Sequence, residues 1–460
     1  MLDVATTAQA IGARHVGPNT EFVRVTTDSR DVRRGDLFVG IRGERFDGQA
    51  FADQALLAGA CAVMVEPGAR ILTPSAPVLE VDDTRLALGR LAAFWRNRFV
   101  SPLIAVTGSN GKTTVKEMLA SILRQVAGES CVLATAGNLN NDIGLPLTLL
   151  RLDSGHRYAV VEMGMNHLRE IAYLSSLARP TVAVISNAGS AHIGKLGSVD
   201  AIARAKGEIF EGLDKTGTAV ISSDDVFADY WRGLARGRSV VDFGLESKAA
   251  ISATYELTAF GSLVTFRSPR GQFVATLRIP GLHNIRNALA AAACAYALDV
   301  PEAAIAAGLA SYAGVKSRLQ RKRHSSGALV IDDSYNANPD SMQAAIAVLA
   351  AYPGHTIFVM GDMGELGDSA EAMHAAVGEF AKRSGVQALL ALGEKSASAA
   401  RSFGKGARHF SDIDELISAL ADGLHSGSTV LVKGSRFMRM ERVVEALGAV
   451  NGESAVKGNS

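Results

Sequence analysis

The chain has 460 residues, 48% of them hydrophobic, and a formal net charge of +1. That composition is globular, with material for about three domains of roughly 150 residues each, and it gives no field that would favour nucleic acid or an anionic membrane surface. Cys61, Cys131 and Cys294 lack Cys-x-x-Cys spacing, which excludes a disulfide frame or zinc site and fits a reducing cytoplasm.

Residues 1–98 read as a first unit. Short strands are expected at 22–25, 37–39 and 62–65, with helices at 51–58 and 86–98, before a boundary at Ser101-Pro102. The N-terminus lacks the basic and apolar blocks of a signal peptide. A second unit, 99–314, has strands at 103–106, 158–163, 182–186 and 219–222 separated by helical patterns. This spacing predicts a parallel sheet with helical crossovers. Strand-like runs at 251–258, 263–267 and 273–278 predict a small antiparallel addition, followed by helices at 284–298 and after Pro301. The alanine-rich run 288–298 is too short to span a bilayer and reads as a buried helix. In a third unit, 315–460, apolar runs at 328–331, 356–360, 388–392 and 429–432 alternate with helical stretches, a doubly wound pattern. The fold class is therefore α/β in three units, and the polar tail 451–460 is expected to fray.

The most informative stretch is Thr107-Gly-Ser-Asn-Gly-Lys-Thr-Thr114. It follows an apolar strand, and Val115, Met118, Leu119, Ile122 and Leu123 after it recur at helical spacing. Gly108, Ser109, Asn110, Gly111, Lys112, Thr113 and Thr114 thus form a phosphate cradle at a helix N-terminus. Lys112 supplies a point charge, and the Thr113 hydroxyl can hold Mg²⁺. The spacing Gly-x-x-Gly-Lys-Thr is shorter than the usual phosphate loop.

A second metal ligand is required, and two strands end in an acid: Glu162, and Asp332-Asp333. Spacing does not choose between them, and either can be a helix cap. His192 lies in a loop after a strand, at the edge where parallel sheets bind ligands, and Lys206 lies in a helical stretch. Taken alone, these two favour a hydrogen-bonded loop histidine and a solvated surface lysine. Asn284 and Asn287 open a helix one turn apart; such amides can read an adenine edge, and Asn284 can equally cap the helix. Asp332-Asp-Ser-Tyr-Asn-Ala-Asn-Pro339 and Gly361-Asp-Met-Gly-Glu-Leu-Gly367 also follow strands; turn chemistry explains their Asn, Asp and Gly better than it explains Tyr335.

Together these motifs resemble the Mur ligase family over nearly the whole chain, from Asp28-Ser29-Arg30 to Arg436-Phe-Met-Arg-Met-Glu441. Gly137-Asn138-Leu-Asn-Asn-Asp-Ile-Gly144, Glu162-Met-Gly164, Ala205-Lys206-Gly-Glu and Lys433-Gly-Ser-Arg436 fall in the family's order. The resemblance implies a UDP-sugar domain (1–98), a central ATPase domain (99–314) and a C-terminal Rossmann-like domain (315–460). It places Lys112 on the γ-phosphate of ATP and Thr113 with Glu162 on one Mg²⁺. A second Mg²⁺ falls to His192 and Lys206, the lysine as a carbamate. The same resemblance implies Asn284 and Asn287 at adenine, Arg318 at phosphate, Asp333 at ribose and Tyr335 against the nucleotide. Ser29, Arg30, Asn138, Lys433 and Arg436 are implied substrate contacts. Where the family often has His, this chain has Gln49, which cannot become cationic.

The implied reaction is ATP-driven amide formation between UDP-N-acetylmuramoyl-tripeptide and D-alanyl-D-alanine, carried out by a cytoplasmic monomer. Sister ligases are the nearest rivals, but the Asp-Asn-Pro-Arg string of the diaminopimelate-adding ligase is absent. A nucleotide-switched binding protein or a transporter ATPase would show Asn-Lys-x-Asp or Leu-Ser-Gly-Gly-Gln, and neither is present.

Overall fold

Strand Leu103–Thr107 is buried along its whole length, as a continuous apolar run inside a parallel sheet must be. Its side chains alternate: Leu103 and Ala105 enter one core, Ile104 and Val106 another. In this computed structural model, which describes residues 1–43, 47–258, 260–448 and 450–451, the strand lies inside a six-stranded sheet. The order is Ser239–Phe243, Thr218–Ser222, Val182–Ile185, Leu103–Thr107, Tyr158–Glu162, Val132–Ala134. Every pairing in it is parallel.

One face of this sheet shares its core with the N-terminal region, where Leu88 and Leu91 of helix Thr84–Arg96 pack. The other face carries helices Lys112–Ala127 and Leu282–Ala297. The antiparallel sheet Ser252–Thr258, Gly261–Ser268, Gly271–Leu277 adds to that second core. The alanine-rich run is thus a buried helix, as expected.

The N-terminal five-stranded sheet has the order Arg14–Val16, Val78–Glu80, Ala62–Val65, Asp36–Val39, Arg24–Thr26. The strand expected at 22–25 is broken in two because Val23 turns outward, 68% exposed, and donates its N–H to the Gly35 carbonyl at 2.9 Å. The helix expected at 51–58 is a 3₁₀ turn, Gly48–Phe51, running into Ala52–Leu57.

The C-terminal sheet has seven strands in the order Ala407–Phe410, Ala388–Leu392, His355–Gly361, Ser428–Lys433, Leu329–Asp332, Gln320–Arg323, Val450–Asn451. The first five pair in parallel and the last two antiparallel. Separate cores lie on its two faces. Residues 452–460, most of the tail expected to fray, lie outside the described residues. Among the described residues no helix is long and apolar enough to cross a membrane.

Candidate active site

The phosphate loop leaves strand Leu103–Thr107 and enters helix Lys112–Ala127 through two glycines with positive φ, Gly108 at +149° and Gly111 at +82°. A Cβ at Gly108 would collide with Ser186 Oγ, and one at Gly111 with Asn287 Oδ1. Both positions therefore need glycine for space as well as for backbone conformation. The neighbouring loop is bonded to this one: Ser109 N–H donates to Asn187 O, Asn110 N–H to Asn187 Oδ1, and Ser186 Oγ to Asn110 O at 2.7 Å.

Lys112 curls back, donating from Nζ to the Gly108 carbonyl at 2.6 Å. Burial lowers its pKa, Glu162 opposes that shift and Arg318 adds to it. Thr113 Oγ1 donates to Glu162 Oε2 at 2.8 Å, and Asn140 Nδ2 donates to Glu162 Oε1 at 2.7 Å. Glu162 is 3% exposed, and its own N–H donates to Thr135 Oγ1 at 3.0 Å. Of the two strand-end acids, Glu162 is therefore the one beside the phosphate loop. Asp332 is occupied elsewhere, by Ser334 Oγ at 2.6 Å and Lys322 Nζ at 3.0 Å.

Residues of the C-terminal region close over this loop. Arg318 Nη2 donates to Thr113 Oγ1 at 3.0 Å while its guanidinium lies 4.2 Å from the Tyr335 ring centroid. Asn338 Nδ2 reaches Asn110 Oδ1 at 2.8 Å. Asp333 accepts from Lys433 Nζ at 2.6 Å and from the Leu319 N–H at 3.1 Å. The cleft between the regions has a volume of about 1060 Å³ and is lined by Ser109 to Thr113, Glu162, His192, Arg318, Tyr335, Lys433 and Arg436.

His192 sits in the left-handed region, φ 68°, with Nδ1 at 2.6 Å from Glu365 Oε2. Lys206 is 1% exposed, so the surface-lysine expectation is overturned. It has no hydrogen-bond or ion-pair partner among the described residues, and burial, reinforced by Lys112, holds its pKa well below the usual lysine range. Asn284 is not the N-cap, which is Gly281; Asn284 Nδ2 donates to the Pro280 carbonyl and its Oδ1 accepts from Asn287 at 3.2 Å. Thr114 is buried in the first turn of its helix.

The expected substrate contacts divide, with Lys433 and Arg436 lining the cleft and Ser29, Arg30 and Asn138 not lining it. Ser29 and Arg30 belong to the N-terminal region and do not line the cleft; Arg30 is paired with Asp28 at 2.8 Å. Asn138 is exposed, and Asn140, two residues on in the same motif, is the amide that lines the cleft. Lys433 is committed to Asp333 and to the Asn336 carbonyl at 2.9 Å, whereas Arg436 keeps an exposed guanidinium, bonded to Glu441 at 3.1 Å. Gln49 accepts the Glu66 N–H at 2.7 Å, a buried structural bond. Sequence reasoning missed Asn140, Asn338, Asp340 and Glu365. Asn140, Asn338 and Glu365 sit inside motifs named above and Asp340 directly follows one, but nothing in the string says which polar residue turns inward.

Comparison with known proteins places the chain in one family. Three family models match in series: "Mur ligase family, catalytic domain" over residues 21–96, "Mur ligase middle domain" over 106–295 and "Mur ligase, glutamate ligase domain" over 317–436. The UDP-N-acetylmuramoyl-tripeptide--D-alanyl-D-alanine ligase of Escherichia coli K12 is 45% identical over 94% of this chain and 95% of its own. The enzyme of that name from Bacillus subtilis 168 is 36% identical over 92% of each. A crystal structure of MurF from Acinetobacter baumannii superposes with a TM-score of 0.91 at 38% identity, covering 96% of this chain and 98% of that one. MurF from Thermotoga maritima, solved in complex with ADP, gives 0.81 at 29% identity over 92% and 96%. With its phosphate loop, strand-end acid and overarching C-terminal region in this arrangement, the chain belongs to the Mur ligase family.

Proposed function

We propose that this protein uses ATP to join the terminal carboxyl group of UDP-N-acetylmuramoyl-tripeptide to the amine of D-alanyl-D-alanine. The product is the UDP-muramoyl-pentapeptide used to build peptidoglycan. The observation that carries the reading is the cleft, where a phosphate loop from one region and Arg318, Tyr335 and Arg436 from another face the same space. The identity to relatives of that activity supplies the substrates. The working division is 1–98 for the UDP-sugar end, 99–314 for ATP and 315–460 for the closing domain. In this reading the enzyme acts in the cytoplasm as a monomer.

The chemistry follows in two displacements. The tripeptide carboxylate attacks the γ-phosphorus, the bond to the bridging oxygen breaks, and ADP leaves with the electron pair. The amine of the dipeptide then attacks the acyl carbon; the carbon–oxygen bond breaks, phosphate leaves, and the amine's proton passes to solvent. Both steps bring anions together, so they need fixed positive charge. Lys112 swings from the Gly108 carbonyl to the γ-phosphate, whose oxyanions favour its cationic form. Arg318 lies where it can neutralise phosphate oxygens, and Asn284 and Asn287 hold the loop's flank toward the base. Tyr335 packs against the nucleotide and Asp333 faces the ribose. Arg436, with its exposed planar fork, is the candidate for the dipeptide carboxylate.

The donor set suits Mg²⁺: the Thr113 hydroxyl and the Glu162 carboxylate are hard oxygens 2.8 Å apart, and these two would hold the ion. No group of three His, Cys, Asp or Glu side chains is gathered among the described residues, so a second ion at His192 needs another oxygen ligand. Lys206 can supply it: a buried, neutral amine adds CO₂ to give a carbamate and a proton. Bound Mg²⁺ would screen the phosphate oxyanions. The test is phosphate release by the purified protein, which should require UDP-muramoyl-tripeptide and D-alanyl-D-alanine together; release with ATP alone at the same rate would refute the reading.

A further inference from the structure

The segment 186–195, a loop that runs into the short helix Ile193–Leu196, lies between strand Val182–Ile185 and helix Val199–Gly207, carries His192 and is zipped to the phosphate loop. It is also held by the C-terminal region at two points on either side of His192. At Gly194, the N–H donates to the Glu365 carbonyl at 2.9 Å. At Ser190, both the N–H and Oγ donate to Asp340 Oδ2, at 2.7 and 2.9 Å. Asp340 stands in the first turn of helix Pro339–Ala350, next to its N-cap Asn338, whose amide reaches Asn110. Gly189, the residue before Ser190, bonds Ser109 in both directions, N–H to Oγ at 2.8 Å and Oγ to the carbonyl at 3.2 Å. One turn of one helix thus touches both loops that form the phosphate site.

The fit is close enough to act as a gauge. A Cβ built on Gly189 would strike Asp340 Oδ2, and its next neighbour outside Asp340 is Ser109 Cβ at 3.7 Å. Gly189 is not in the left-handed region, so alanine there is unstrained by backbone and meets a steric obstacle only from Asp340.

We propose that Asp340 is a positioning residue that latches the C-terminal region onto the 189–195 loop, so that His192 and the phosphate loop are fixed only when that region is closed. The inference rests on the ligase reading above. A carboxylate accepting two hydrogen bonds across a closing interface is lost on opening, and its energy therefore biases closure alone. Glu365 completes the grip from the far side of His192.

The test compares the wild type with Asp340→Ala, Gly189→Ala and the double variant. Two readouts are taken: turnover, and amide hydrogen exchange across 187–195 with a non-hydrolysable ATP analogue. Loss of the latch should cost about tenfold in turnover, the scale of one charge-assisted hydrogen bond, and should raise exchange in this segment. Gly189→Ala should be at least as damaging, because it wedges the interface. The double variant should do no worse than Asp340→Ala, since the wedge then has nothing to strike. A double variant whose losses multiply, or unchanged exchange in Asp340→Ala, overturns the proposal. A wild type that forms no amide bond would instead sink the ligase reading, while the exchange comparison would still decide the latch.

Discussion

Arg318 Nη2 donates to Thr113 Oγ1 at 3.0 Å with its guanidinium over the Tyr335 ring. This contact ties the chain segment entering the C-terminal sheet to the residue expected to hold metal and phosphate. A planar fork that stacks and donates at once cannot be replaced by an ammonium. Arg318→Lys should lose on the order of 10²-fold in turnover, the scale of a lost electrostatic stabiliser. Steady-state kinetics check this; turnover within a factor of about two of wild type would place Arg318 outside the reacting centre.

Lys112→Ala should fold normally, since among the described residues Nζ bonds only to the loop carbonyls of Gly108 and Ser109. It should lose about 10²–10³-fold in turnover. Circular dichroism confirms the fold and product formation gives the rate; near-normal turnover would exclude a charge-neutralising role.

Lys206 is buried with no hydrogen-bond or ion-pair partner among the described residues, and its lowered pKa favours the neutral amine that reacts with CO₂. Protein equilibrated with ¹³C-bicarbonate and Mg²⁺ should show a carbamate ¹³C resonance that is missing in Lys206→Ala. A spectrum identical in the two proteins would rule the modification out.

His283 predicts a pH dependence of stability. Burial, with Lys433 and Arg286 adding to it, lowers its pKa from 6.5 to about 4 in the folded chain. The unfolded chain therefore takes up a proton first as pH falls. The stabilisation from neutral His283 is fully present above 6.5 and is lost progressively between 6.5 and about 4. Discounted because His283 is half-buried and not fully enclosed, it amounts to about 2 kcal/mol. Denaturant midpoints at about pH 7.5 and pH 5 should fall less for His283→Asn than for wild type; equal falls would show that His283 titrates normally.

Much of this was legible in the chain. Thr107 to Thr114 announces itself because a tight anion cradle demands glycine, lysine and hydroxyl at fixed spacing, and the apolar runs of the sheet interiors are unmistakable. Edge strands were not legible: Ser239–Phe243 leaves Val240 40% exposed, and Arg14–Val16 is polar and three residues long, so neither carries an apolar signature. Lys206 read as a surface residue because helical periodicity does not reveal which neighbours will cover a face. Asn140 and Asp340 could not be singled out because their roles depend on contacts across distant parts of the chain, Asn140 with Glu162 and Asp340 with Ser190. Lys433 reads as a substrate contact in the sequence, because nothing there places Asp333, 100 residues earlier, against its ammonium group.

The central claim is the identity of the bond formed. Purified protein with ATP and Mg²⁺ should be offered two substrate pairs: UDP-muramoyl-tripeptide with D-alanyl-D-alanine, and UDP-muramoyl-dipeptide with single amino acids including lysine and diaminopimelate, the products being weighed by mass spectrometry. The account predicts rapid accumulation of the UDP-muramoyl-pentapeptide from the first pair and little product from the second. Faster ligation of a single amino acid to the dipeptide would contradict it and assign the chain to a different step.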